Sequence, residues 1–280
     1  PVACESHKFA DFRAAGINRL SIGIQSVSAR HLKALGRVHD DHEAYRAVEI
    51  AQKNFDNINL DLMYALPEQT LQEAQADIAT ACSLGVTHLS AYHLTLEPNT
   101  LFYRYPDDEQ SAAMQEMIEQ ITSGHQYRNY ETSAFAQAGK ESRHNMNYWL
   151  FGDYVGIGAG AHSKISFSDR IVRQMRYKQP KEYLAKAKAA ESLIQAQHVL
   201  IPEDRGFEFM MNALRLTGGF ETSLFQERTG LPISAIKKPL DEAEQRLLIV
   251  RNNLHINPTV LGRRFLNDLL QIFLPEANSQ

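Results

Sequence analysis

Apolar and polar residues alternate with a period of two at three places in the first hundred positions. Leu20, Ile22 and Ile24 alternate with Ser21, Gly23 and Gln25, and Ile58, Leu60 and Leu62 follow the same rhythm around Asn59 and Asp61. The run Thr87 to Leu96 is the third. Each predicts a strand. Helical patterns follow the strands over Ala29–Leu35, His42–Lys53 and Leu71–Leu84, and one over Lys8–Ala15 precedes the first. Glycines stop several of these, Gly16 after the first and Gly85 after Leu84. Thr70 with Glu73 three residues on reads as a capping box. Strand, loop and helix recurring with strand centres near Ile22, Leu60 and Ala91 suit right-handed crossovers in a parallel α/β sheet. In such sheets ligands gather at the carboxyl ends of the strands. Three units do not close a barrel and leave open edges. With a start at Pro1 rather than a methionine, this predicts that earlier strands are missing.

A helix is predicted over Asp107–Thr122 and a strand-like stretch over Tyr127–Ala136. Pro180 opens a helix running to about Gln195. Beyond Pro202 the pattern turns helical, with a hairpin through Asn252 and Asn253, in the manner of a winged-helix module. The expected fold class is therefore α/β: a partial parallel (β/α) barrel over residues 1–170, a helical connector over 171–202, and a small, mainly helical, winged-helix-like domain over 203–280.

Composition narrows the function. An apolar content of 44% and a charged content of 22% are those of a globular protein. A net charge of −4 argues against general polyanion binding. From Glu203 to Pro275 nine basic residues face nine acidic ones, so the terminal module has no basic stripe for a duplex. It reads as a docking or lid domain, and no nucleic-acid partner is expected. No apolar run is long enough to cross a bilayer. Cys4 and Cys82, the only two cysteines, form no disulfide framework, and a cytoplasmic location is the default. His39 and His42 lie three apart, but with Asp40 or Asp41 capping the next helix they make a poor metal pair, and no metal ligands are assigned.

Candidate chemistry is concentrated at a few positions. Asp61 is a carboxylate inside an apolar strand, held there either by an inward salt bridge or hydrogen bond or by a ligand in a barrel mouth. Gln25 ends the first strand, and Arg37 is either a surface charge or a guanidinium for a carboxylate. The stretch His144 to His162 holds the only tryptophan, Trp149, and glycines at 152, 156, 158 and 160. Such glycines allow close backbone approach, to a ligand or within a crowded sheet. His144, near Tyr148 and Trp149, forms a candidate binding edge.

Several strings in order, AGINRLSIGIQS, LKALGRVHD, NINLDLMYALPEQT, HLSAYHLTLEPNTLF, YETSAFA, RHNMNYWLFGDYVGIGAGAH and GRRFLNDLLQIFL, resemble the coproporphyrinogen III oxidase-like branch of the radical SAM superfamily. They cover nearly the whole chain. The HNxxYW string is similar to the signature that separates the branch's heme chaperones from its oxidases. The resemblance implies an incomplete α/β barrel of radical SAM type and a helical C-terminal domain. It implies S-adenosylmethionine contacts at Gln25, Arg37, Asp61, Thr95 and Gly158, with His144, Tyr148 and Trp149 as heme candidates. It further implies a [4Fe–4S] cluster in the intact parent, and heme-acceptor proteins of the respiratory chain as partners, through which the protein would meet a membrane peripherally. The alternatives are an oxygen-independent coproporphyrinogen III oxidase and a cluster-free heme or small-molecule binder. The family's CxxxCxxC is absent, and two distant cysteines cannot replace it. The expectation is a form lacking its cluster-binding front, which alone neither holds the cluster nor cleaves the cofactor. Two smaller departures are Ala65 in place of the family's glycine and Ser142 in place of its cysteine.

Overall fold

The computed structural model describes residues 6–36, 41–94 and 108–275. The chain divides into two compact units, 1–141 and 142–280.

The first unit runs α1 (Ser6–Ala14), β1 (Leu20–Gln25), α2 (Ala29–Ala34), α3 (Asp41–Gln52), β2 (Ile58–Tyr64), α4 (Leu71–Ser83), β3 (His88–His93), α5 (Asp108–Gly124), β4 (Arg128–Glu131) and β5 (Ala134–Ala136). The five strands make one sheet in the order β1-β2-β3-β5-β4. Its first three strands are parallel, as predicted, and β5 joins β3 antiparallel. Among the described residues the sheet stays open, a partial barrel rather than a closed one. Ile22, Ile24, Ile58, Leu60, Leu62 and Leu89 form its apolar face, packed with Ala47 and Val48 of α3, Ile78 and Ala81 of α4 and Ile118 of α5. The capping box is present: the Thr70 hydroxyl accepts from the Glu73 N–H at 3.2 Å while the Glu73 carboxylate accepts from the Thr70 N–H at 2.9 Å.

The second unit runs α6 (Arg143–Trp149), β6 (His162–Ser166), β7 (Ile171–Arg176), α7 (Pro180–Lys188), β8 (Ile194–Val199), α8 (Pro202–Ala213), β9 (Phe220–Glu221), α9 (Thr222–Thr229), α10 (Lys237–Gln245), β10 (Ile249–Arg251), β11 (His255–Pro258), α11 (Val260–Arg264) and α12 (Leu266–Gln271). Its strands form two antiparallel sheets, β6-β7-β8 and β10-β11-β9. Phe209 at the centre of the core meets Phe151, Phe220 and Phe225 edge-on at centroid distances of 5.0–5.8 Å.

The expected helical connector over 171–202 is corrected. Only Pro180–Lys188 is helical there, and strands flank it on both sides. The predicted helix to Gln195 stops early because Ala190 adopts φ 54, a left-handed conformation that breaks the repeat. Residues 194–199 then pair with β7 instead. The division between units likewise falls after Glu141, ahead of the predicted boundary at 170.

Candidate functional site

The second face of the first sheet is polar. Register sets Asn59 beside His88, and Asp61 between Gly23 and Ser90. A parallel strand covered on both sides is ordinarily apolar on both. Here the side chains opposite the core are Ser21, Asn59, Asp61, His88, Ser90 and Tyr92, a lining suited to a polar ligand rather than to packing.

Asp61 is held by two neighbours. The Ser21 hydroxyl donates to Oδ2 at 2.8 Å, and the Asn59 amide donates to Oδ1 at 2.8 Å and to Ser21 Oγ at 2.7 Å. The inward hydrogen bonds foreseen for a carboxylate in this strand are therefore real. Asp61 nonetheless stays half-buried, with acceptor capacity left on both oxygens. Behind Asn59 lies His88, fully buried, its Nδ1 2.6 Å from Asn59 Oδ1 and its Nε2 2.9 Å from the Tyr130 hydroxyl. Burial first, and then the charge of Arg19, push the His88 pKa down to about 3, so the ring is neutral at any ordinary pH. Burial also lowers Arg19, which is drawn back up by Tyr130, Asp61 and Tyr92. Its Nε is buried with no hydrogen-bond partner.

Gln25 closes β1 with φ 64, in the left-handed region. A Cβ built at Gly23 would collide with the Gln25 side-chain nitrogen, which places that amide on the polar face. The β1–α2 turn is tied down from below by Asp77 of α4. Its carboxylate accepts from Ser26 Oγ at 2.8 Å, the Val27 N–H at 3.0 Å and Gln69 Nε2 at 3.2 Å. Ala65, in place of the family's glycine, also has a left-handed φ of 57, the conformation for which glycine is the natural occupant. Arg37 and Thr95 lie outside the described residues.

The other candidates belong to the second unit. His144 is exposed on α6 and meets the ring of Tyr148 edge-on at 4.8 Å. Tyr148 in turn lies 4.6 Å from Tyr154. The Arg215 guanidinium sits 4.4 Å over Trp149. Ser142, in place of the family's cysteine, caps α6 by accepting from the Asn145 N–H at 3.3 Å. In the glycine run, Gly156 presses on the His162 backbone, which is the crowded-sheet use of glycine. Gly158 has φ 106, open space where a side chain would point, and an N–H donated to the Tyr183 hydroxyl at 3.3 Å.

The residues present do not fit an iron–sulfur cluster. Cys82 is buried in the first core, and burial raises its thiol to about 11, opposite to what a ligand thiolate needs. Among the described residues no group of three or more His, Cys, Asp or Glu side chains could hold a metal ion. No described helix is long and apolar enough to cross a membrane. The polar face suits a ligand that carries hydroxyl donors, because a fixed carboxylate with free lone pairs can accept from them.

Comparison with known proteins agrees with this architecture. The radical SAM superfamily model matches residues 3–81, and the HemN C-terminal domain model matches 200–265. A solved structure described as coproporphyrinogen III oxidase (HemN) from Escherichia coli, a radical SAM enzyme, superposes with a TM-score of 0.78. That match covers 98% of this chain and 68% of that one, and at 18% identity it speaks for the fold alone. The class is thus a radical SAM α/β sheet joined to a HemN-type C-terminal domain. Heme chaperone HemW of Haemophilus influenzae is 43% identical over 99% of this chain and 72% of its own length, and that of Escherichia coli is 40% identical over 99% and 73%. The Bacillus subtilis protein of that name is 33% identical over 99% and 74%. The chain belongs to the HemW heme chaperone family of radical SAM proteins. Membership implies S-adenosylmethionine and a [4Fe–4S] cluster for the family, whose cluster ligands are not among these residues.

Proposed function

We propose that the chain supplies the nucleoside-gripping and heme-binding parts of a heme chaperone that passes heme to acceptor proteins of the respiratory chain. The observation that carries the first part is Asp61, anchored by Ser21 and Asn59 on a polar sheet face yet open to further donors. In this reading Asp61 takes the ribose hydroxyls of S-adenosylmethionine. Gln25, Arg37 and Thr95 complete the cofactor's surroundings in the first unit, Arg37 through its carboxylate. The cofactor supplies methionine and adenosyl groups; this chain's residues bind and orient them. His144 is the heme ligand, its exposed imidazole braced by Tyr148 while Trp149 borders the macrocycle. The protein works in the cytoplasm and meets the membrane only through an acceptor. Residues 203–280 serve as the docking or lid domain.

The test is an absorbance titration of hemin into the full chain and into His144→Ala. The expected result is a shifted Soret band for the parent and at least about tenfold weaker binding for the variant. Identical spectra and affinities would remove His144 from the site. No observation on this chain favours porphyrinogen oxidation; a cluster-free heme binder would take up hemin as well as the intact protein does, and a cluster-free binder of another small molecule would leave it unbound.

A further inference from the structure

The partner that orients Asp61 is itself oriented from behind. The Asn59 amide lies between Asp61 and His88, and an amide can be turned end for end with little change in shape. If its oxygen faced Asp61, two acceptors would meet and the carboxylate would turn away. Something must fix the direction. The Ser21 hydroxyl spends its proton on Asp61 Oδ2 and so can only accept from Asn59 Nδ2. On the other side Ser90 Oγ lies 3.0 Å from Asn59 Oδ1, but a hydroxyl rotates to donate or accept and cannot decide by itself. His88 Nδ1, 2.6 Å from the same oxygen, can decide, provided it carries the ring proton.

A buried neutral imidazole has a single N–H, and the bond made by its other nitrogen selects which one. His88 Nε2 faces the Tyr130 hydroxyl at 2.9 Å. Asn59 Nδ2 is committed to Asp61 and Ser21, so the Asn59 oxygen that faces the ring can only accept; the proton therefore sits on Nδ1, and Nε2 accepts from the phenol. We propose that His88 is a positioning residue for the nucleoside site: its Nδ1–H fixes the Asn59 amide, which aims the Asp61 carboxylate at two neighbouring hydroxyls of a ribose. The hydrogen-bond chain Tyr130, His88, Asn59, Asp61 has one direction throughout. It leaves one acceptor position free on each oxygen of Asp61, the pattern a vicinal diol requires. This rests on the reading of Asp61 as a nucleoside contact.

The experiment is calorimetric binding of S-adenosylhomocysteine to the full chain, with nitrogen-15 NMR of the histidine rings. His88→Phe removes the donor and is expected to weaken binding about tenfold. His88→Gln, whose amide can donate to Asn59 and accept from Tyr130, is expected to restore affinity to within about threefold of the parent. NMR is expected to show the Nδ1–H form of His88 from pH 5 to pH 8. Equal affinity in the parent and His88→Phe, or a proton found on Nε2, overturns the proposal. A folding defect in the Phe variant would appear as a lowered melting temperature, and the Gln variant and the tautomer would still decide. If the parent itself does not bind the nucleoside, the reading of Asp61 fails and the ribose target with it. The tautomer then decides alone whether His88 directs Asn59.

Discussion

In the second unit a buried lysine and two half-buried arginines end on opposite charges. Lys164, 1% exposed, donates to Asp153 at 2.9 Å, to the Phe151 carbonyl at 3.0 Å and to Ser166 at 3.1 Å. Arg173 pairs with Glu208, and Arg251 with Asp241 and Glu244. On the polar face of the first sheet the arrangement differs: neutral groups, an imidazole, an amide and two hydroxyls, lead to one carboxylate with capacity to spare. Networks that close on themselves hold a fold together, whereas one that ends in an open acceptor is prepared for something outside the chain.

This contrast can be tested by substitution. The largest effect is expected from Phe209→Ala, which empties the centre of the second core and costs about 4 kcal/mol in a denaturant titration. A loss below about 1 kcal/mol would mean that the aromatic cluster is not the keystone of that unit. Next comes Asp77, a buried carboxyl of the first unit whose pKa burial raises to about 6 against an ordinary 3.8. Because the folded form binds the proton more tightly, its contribution is complete below about pH 4 and is lost as pH rises through 6. The parent is therefore expected to gain about 2.5 kcal/mol relative to Asp77→Asn between pH 7 and pH 4. Parallel stability curves for the two proteins would refute the assignment. Smaller still is Lys164→Met, about 2 kcal/mol, because Asp153 is 45% exposed and keeps its bonds from Ser166. Nucleoside affinity is expected to survive this change; a parallel fall in affinity would blur the contrast between the units.

The parallel strands were legible because period-two alternation places Ile22, Leu60 and Leu89 on one face, and the start of α4 was legible because Thr70 and Glu73 cap it. The sheet β6-β7-β8 was not. Its strands read HSKIS, IVRQMR and IQAQHV, and β8 is largely exposed, so the lysines and glutamines mask the alternation. The helix α6 was missed because Asn145 and Asn147 are weak helix formers, and a buried serine cap starts it. Asp61 stood out as a charge among apolar neighbours. Its supports did not, although a signal existed: Ser21, Asn59, Asp61, His88 and Ser90 all fall out of phase with the apolar positions of their strands. Polar residues recurring in one phase across adjacent parallel strands mark a lined interior, and no single strand displays that.

Gly23 and Gln25 share one volume, since the amide of the second occupies the space any side chain at the first would claim. An alanine at 23 evicts the glutamine head group even if the strand survives intact. The two positions therefore act together: a side chain at 23 displaces the amide at 25 although the residue there is unchanged.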